Sequence, residues 1–154
     1  MKTFRKNVSR RLINAVSTVG IKRGIGPSQR YLLTVDGRWT HMPHTTPVSL
    51  VIDGPTRYLV APYGEVGWVR NARVAGVVAL RRGGTTQRFS LVTLQGAPAG
   101  SILRRYLKLE PITRPFFGVA ADAPEAAFEA EVDTHPVFRL TPVEPAGATE
   151  ALAV

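Results

Sequence analysis

The spacing of short apolar runs through the middle of the chain is the feature that most constrains its fold. Tyr31 to Val35, Thr46 to Ile52 and Arg57 to Ala61 are brief stretches of β-branched, aromatic and aliphatic residues, with Asp36-Gly37 and Asp53-Gly54-Pro55 as turns between them. Val77 to Leu80 and Arg88 to Leu94 read as a hairpin across Arg82-Gly83-Gly84-Thr85, and Val137 to Leu140 as a last strand. A doubly wound parallel sheet would need helices of about ten or more residues alternating with these strands. The block offers one short helix, at 66–75, where Arg70, Asn71 and Arg73 follow Trp68 and Val69 before Gly76 stops it. An α+β fold is therefore expected: a six- or seven-stranded antiparallel barrel with helices packed outside it.

The flanking segments are helical by pattern. Phe4, Val8, Leu12, Ala15, Val16 and Val19 recur at helical spacing, with Lys2, Arg5, Lys6, Arg10 and Arg11 mostly between them. This amphipathic helix and the crossing loop after Gly20 make up residues 1–30. Its two faces suit either packing across the barrel or contact with an anionic membrane surface, and packing is the preferred reading. Ile102, Leu103, Tyr106 and Leu107 line one face of a helix that begins near Pro98 and stops at Pro111. Pro124 to Val132 is a further short helix. Residues 31–142 thus form the barrel domain, and 143–154, rich in Ala, Pro, Glu and Thr, read as a disordered tail.

With 154 residues and no cysteine, the chain fits one domain with a single core and has no disulfide, thiolate metal site or cysteine nucleophile. No apolar run is long enough to span a bilayer, and no secretory signal is read, so a cytoplasmic protein is expected. The formal charge of +9 is polarised along the chain. Residues 1–40 carry nine Lys/Arg against one acid and residues 41–108 nine against two, whereas residues 109–154 carry two against eight. Such a field attracts anions in general, and without a reading motif it implies no specific nucleic acid.

Several chemical constellations fail on spacing. His41 and His44 lie in an extended segment around Pro43, where a spacing of three sends side chains to opposite faces, and His135 is remote, so no metal is expected. Gly20, Gly24 and Gly26 follow no strand and precede Pro27, which suits a helix stop and turn better than a phosphate loop. No G-x-S-x-G occurs, and the acids of 122–133 read as a solvated helix face.

Two segments carry more information. Leu32 to Val48 is a strand, a loop of hydroxyl and basic groups over Gly37 to His44, and a second strand. Tyr58 to Arg73 is a strand that empties into a Gly-containing loop and a helix N-terminus, where backbone N–H groups beside arginines can hold an anion. Leu33, Thr34, Gly37, Arg38, Thr40, Pro43, His44 and Pro47, followed by Val60, Ala61, Gly64, Trp68 and Asn71, resemble the pattern of the deazaflavin-dependent nitroreductase family. These are split β-barrel, FMN-binding-like oxidoreductases that use coenzyme F420, an 8-hydroxy-5-deazaflavin. The resemblance runs from about residue 31 to 95 and more weakly to Leu140.

It implies hydride transfer from the reduced deazaflavin to an electron-poor acceptor such as a quinone, nitro compound or enone. Because the cofactor carries the chemistry, no catalytic dyad is required. The implied cofactor contacts are Arg38, Trp39, Thr40, His44 and Pro47 on one side, and Ala61, Tyr63, Gly64, Trp68, Arg70 and Asn71 on the other. Tyr106, Phe116 and Phe117 are implied as the acceptor pocket, with core packing as their competing role. The chain departs from the family at Trp39 and His41, which stand where the pattern has Lys and Gly. Loss of that ammonium fits either weaker hold on an anionic tail or a related branch that binds lipid-like molecules without catalysis. FMN is the alternative cofactor.

Overall fold

The computed structural model describes residues 20–24 and 26–143. Six strands form a closed barrel: β1 (Arg30–Asp36), β2 (Pro43–Asp53), β3 (Thr56–Val60), β4 (Val77–Arg82), β5 (Thr85–Leu94) and β6 (Val137–Pro142). Their order around the barrel is β1-β2-β3-β6-β5-β4, with β4 also paired to β1, and every pairing is antiparallel. The Gly54-Pro55 and Gly83-Gly84 turns join the two tight hairpins. The expected barrel is thus present, with β2 starting three residues earlier than its β-branched run suggests.

Side-chain alternation sorts the strands into two cores. Leu33, Val35, Leu50, Leu59, Val78, Leu80, Phe89, Phe138 and Leu140 fill the barrel interior. Helix α1 (Gly67–Ala75) adds Val69 and Ala72 to that interior and ends at Gly76, whose N–H reaches the Ala72 carbonyl from a left-handed conformation. Val51, Val60 and Val137 point the opposite way, into a second core with Ile102, Leu103, Tyr106 and Leu107 of α2 (Gly96–Leu109) and Phe128 of α3 (Glu125–Glu129). A 3₁₀ helix that sequence pattern does not predict, Pro111–Phe116, follows α2. Pro111 ends the α-helix as expected, but it also opens this tighter turn.

The helix proposed over Phe4 to Val19 and most of the proposed tail lie outside the described residues. Residues 20–22 are helical, and Ile21 is buried. The crossing that follows is tied to the β4–β5 hairpin by Arg82, whose guanidinium donates to the carbonyls of Gly24, Gly26, Pro27 and Arg30 at 2.8–3.2 Å. The glycine-rich crossing therefore presents oxygen to a cation, the reverse polarity of a phosphate loop. No helix among the described residues is long and apolar enough to cross a membrane. Replacing Arg82 by Ala leaves the crossing without its donors, with an expected loss of about 1–2 kcal/mol in urea unfolding that Lys only partly restores.

Candidate functional site

The β1–β2 connection is a closed loop, in which the Gly37 N–H donates to the Met42 carbonyl at 2.8 Å and the His41 N–H to the Gly37 carbonyl at 2.9 Å. Gly37 is buried because Thr40 and His44 fold over it. A Cβ there would stand 2.8 Å from Thr40 Oγ1 and 3.0 Å from His44 Nε2, so glycine is what leaves room for these two side chains over the loop. His41 has φ +59° and is the one non-glycine residue with positive φ among those described. That conformation costs a side-chain-bearing residue about 1–2 kcal/mol. It also explains why the resembling pattern has glycine here.

Arg38 and Asn71, read separately from sequence, form one unit. The Asn71 Oδ1 accepts the Arg38 backbone N–H at 3.1 Å and its Nη1 at 2.8 Å, pinning the loop to α1. Asn71 is buried for this purpose. Trp39 is 80% exposed, with the Arg38 guanidinium 4.1 Å from its ring centroid. Pro47 is half-buried in β2.

The second segment turns sharply after β3. Ala61 is wholly buried in the barrel core, and its N–H bonds the Pro136 carbonyl at 2.9 Å. Gly64 has φ +84° and lies where a Cβ would be 3.2 Å from the Thr134 carbonyl, which holds the loop against the turn before β6. Helix α1 then starts without a side-chain cap and without an acid in its first turn. Glu65, just before it, is paired with Arg73 at 2.6 Å, so its charge is offset. Arg70 is exposed on α1, and Trp68 packs half-buried against the barrel core.

Tyr63 meets Phe116 edge to face, with centroids 4.8 Å apart and planes at 79°. Tyr106 lies close behind and is buried. Burial above all, then the Glu110 charge and Tyr63, push its hydroxyl well above the usual tyrosine range, while Arg30 opposes them. Glu110 is itself buried, accepting from Ser49 Oγ at 2.6 Å and Arg30 Nη2 at 3.4 Å. Sequence reasoning singled out Tyr63, Phe116 and Tyr106 but not this carboxylate, whose partners lie 61 and 80 residues away.

Phe117 faces elsewhere. It stacks on His135, with centroids 4.0 Å apart and planes at 23°. His135 is buried, with Glu131 Oε2 3.4 Å from its Nε2. Burial lowers its pKa below the ordinary histidine value, and Glu131 together with the backbone of Pro62, Ala61 and Phe116 partly offsets the shift. The sequence offered no signal for this pair beyond an i, i+4 spacing in an irregular turn.

No family model matches the chain, and no curated protein matches it. Solved structures do. A domain-swapped dimer superposes with TM-score 0.56 at 15% identity, covering 86% of this chain and 93% of the other. A structure described as an F420-H2 dependent reductase gives 0.52 at 15% identity, covering 73% and 94%. The heme storage protein HutZ from Vibrio cholerae gives 0.54 at 10%, covering 76% and 83%. At these identities the likeness establishes the fold, a split β-barrel of the flavin-binding type.

Two outcomes are expected. Substituting His41→Gly relieves the left-handed backbone and raises stability by about 1 kcal/mol in urea unfolding. His135 stays neutral in the native state below pH 6.5, where the unfolded chain already binds a proton, so stability falls as pH drops from 6.5 toward the lowered native value. The slope is at most about 1.4 kcal/mol per pH unit for this one proton. His135→Phe, which keeps the stacking on Phe117, is expected to flatten it in unfolding curves taken at pH 7.5, 6.0 and 5.0.

Proposed function

We propose that this protein is a deazaflavin-dependent oxidoreductase that passes hydride to an electron-poor acceptor such as a quinone, nitro compound or enone. The observation that carries the reading is the convergence of the two motif segments: Arg38 and Asn71 share one hydrogen-bonded unit at the junction of the β1–β2 loop and α1. The residues fit an anionic, ring-bearing cofactor. Thr40 and His44 converge over Gly37, α1 begins uncapped and carries Arg70 and the Arg38-binding Asn71, and Tyr63 with Phe116 forms an aromatic wall.

Within this reading, Arg38, oriented by Asn71, binds the phosphate side together with the α1 N-terminus. Thr40, His44 and Pro47 border the ring, and Tyr63 and Phe116 cover its acceptor side and exclude water. When bound, the deazaflavin supplies the hydride, and the chain's work is orientation and desolvation. Tyr106 keeps its proton at all ordinary pH, so it serves the wall as a neutral, packed phenol.

The second reading is a non-catalytic binder of lipid-like molecules, favoured by the 80% exposure of Trp39 where the resembling pattern has lysine. One titration separates them. Quenching of deazaflavin fluorescence, with FMN in parallel, is expected to give weak, salt-sensitive deazaflavin binding. Loss of one ammonium from a partly exposed groove removes about 1 kcal/mol, so Trp39→Lys with His41→Gly is expected to improve affinity several-fold. Tight FMN binding would move the assignment to a flavin enzyme. No response to either cofactor, with fatty acid extracted from the purified protein, would support the binder. A double variant no better than the parent would remove the loop from the tail site.

A further inference from the structure

Both nitrogens of His135 are buried and neither makes a well-aligned hydrogen bond, Nε2 having only Glu131 Oε2 at 3.4 Å; a buried polar group so poorly satisfied ordinarily costs about 1–3 kcal/mol. Packing does not require an imidazole here, because a phenyl ring would stack on Phe117 equally well. What surrounds the ring is more telling. The chain neighbours of His135 hold the segment that carries Tyr63, since the Ala61 N–H donates to the Pro136 carbonyl at 2.9 Å and Gly64 lies against the Thr134 carbonyl. Phe117, stacked on the ring, directly follows Phe116, whose ring meets Tyr63. His135 thus backs both halves of the Tyr63–Phe116 contact.

We propose that His135, supported by Glu131, is a positioning residue for the Tyr63–Phe116 wall, and that its protonation moves that wall. The proposal rests on Tyr63 being part of the functional site. A neutral imidazole has one N–H, whereas the protonated ring has two, and the added donor can close on the backbone oxygens around it. Glu131 is seated for this. Its side chain is 12% exposed, and a Cβ on Gly118 would lie 2.6 Å from its Oε1, so glycine at 118 leaves the carboxylate its place beside the ring. Among the described residues, Glu131 is the charged group acting on His135. The segment at Ala61 and Pro62 presents backbone, and Phe116 and Phe117 present backbone and aromatic carbon.

The test needs no cofactor. The full chain carries four tyrosines, and 3-fluorotyrosine labelling with Tyr63→Phe for assignment gives a fluorine signal for Tyr63. As pH is lowered from 7.5 through values below the ordinary histidine pKa, toward the onset of acid unfolding, this signal is expected to shift through a one-proton transition in the parent and to stay flat in His135→Phe. Gly118→Ala displaces only the flexible end of Glu131, so the fold persists while the transition moves to lower pH, because the carboxylate that favours the protonated ring has moved away. A flat Tyr63 signal in the parent, the same transition in His135→Phe, or an unmoved midpoint in Gly118→Ala would overturn the proposal. Deazaflavin titrations of the same proteins keep the two readings apart. A Tyr63 signal that follows His135 without any deazaflavin binding sinks the cofactor assignment and leaves the positioning role. Binding that weakens several-fold in His135→Phe supports both.

Discussion

Closure of the sheet through the β1–β4 pairing is the constraint on which the other elements depend. Once Leu32 to Thr34 pair with Ala79 to Arg81, the six strands have no free edge, and each must divide its side chains between an inner and an outer face. On β2, β3 and β6 both faces are apolar at adjacent positions: Leu50 and Val51, Leu59 and Val60, Phe138 and Val137. The outer members must be covered, and α2 with α3 covers them. Glu110 is carried inward at the end of α2 by that packing, which brings its carboxylate to Ser49 and Arg30.

The same closure positions the candidate site. The β3–α1 connection has to leave the barrel, turn, and send Val69 and Ala72 back into the interior within a dozen residues. Gly64 permits that turn at close range to the Thr134 carbonyl, and Asn71 then sits where its one oxygen can hold both donors of Arg38. Loop and helix are coupled through a side-chain amide. In the anion-binding reading, Asn71 therefore acts chiefly by orienting Arg38.

Two groups emerge from the residues that sequence motifs selected. Arg38, Trp39, Thr40, His44 and Asn71 gather at the loop, and Tyr63, Phe116 and Tyr106 gather beside Glu110. Phe117 belongs instead to the core around His135, and Ala61 to the barrel interior. At Ala61 the barrel itself requires a small buried residue, and at Phe117 the second core requires a ring, so packing accounts for both positions.

Strand runs, turn glycines and the helix on Ile102 to Leu107 were legible because they rest on local periodicity and backbone preference, which a single segment expresses by itself. The expectation that loop and helix motif residues lie together rested on the family resemblance, and the Arg38–Asn71 contact that joins them spans 33 residues. Three features were not legible: the 3₁₀ turn after Pro111, the carbonyl cluster around Arg82, and the buried carboxylate of Glu110. The carbonyl cluster and Glu110 depend on partners brought close only when the barrel closes. Burial and pairing across 50 to 80 residues arise from tertiary packing and leave no mark on local spacing. The sequence alone thus determined which segments become strands and where they turn, while only the tertiary structure decided which charges are buried and what faces His135, because desolvation exists only once the chain has packed.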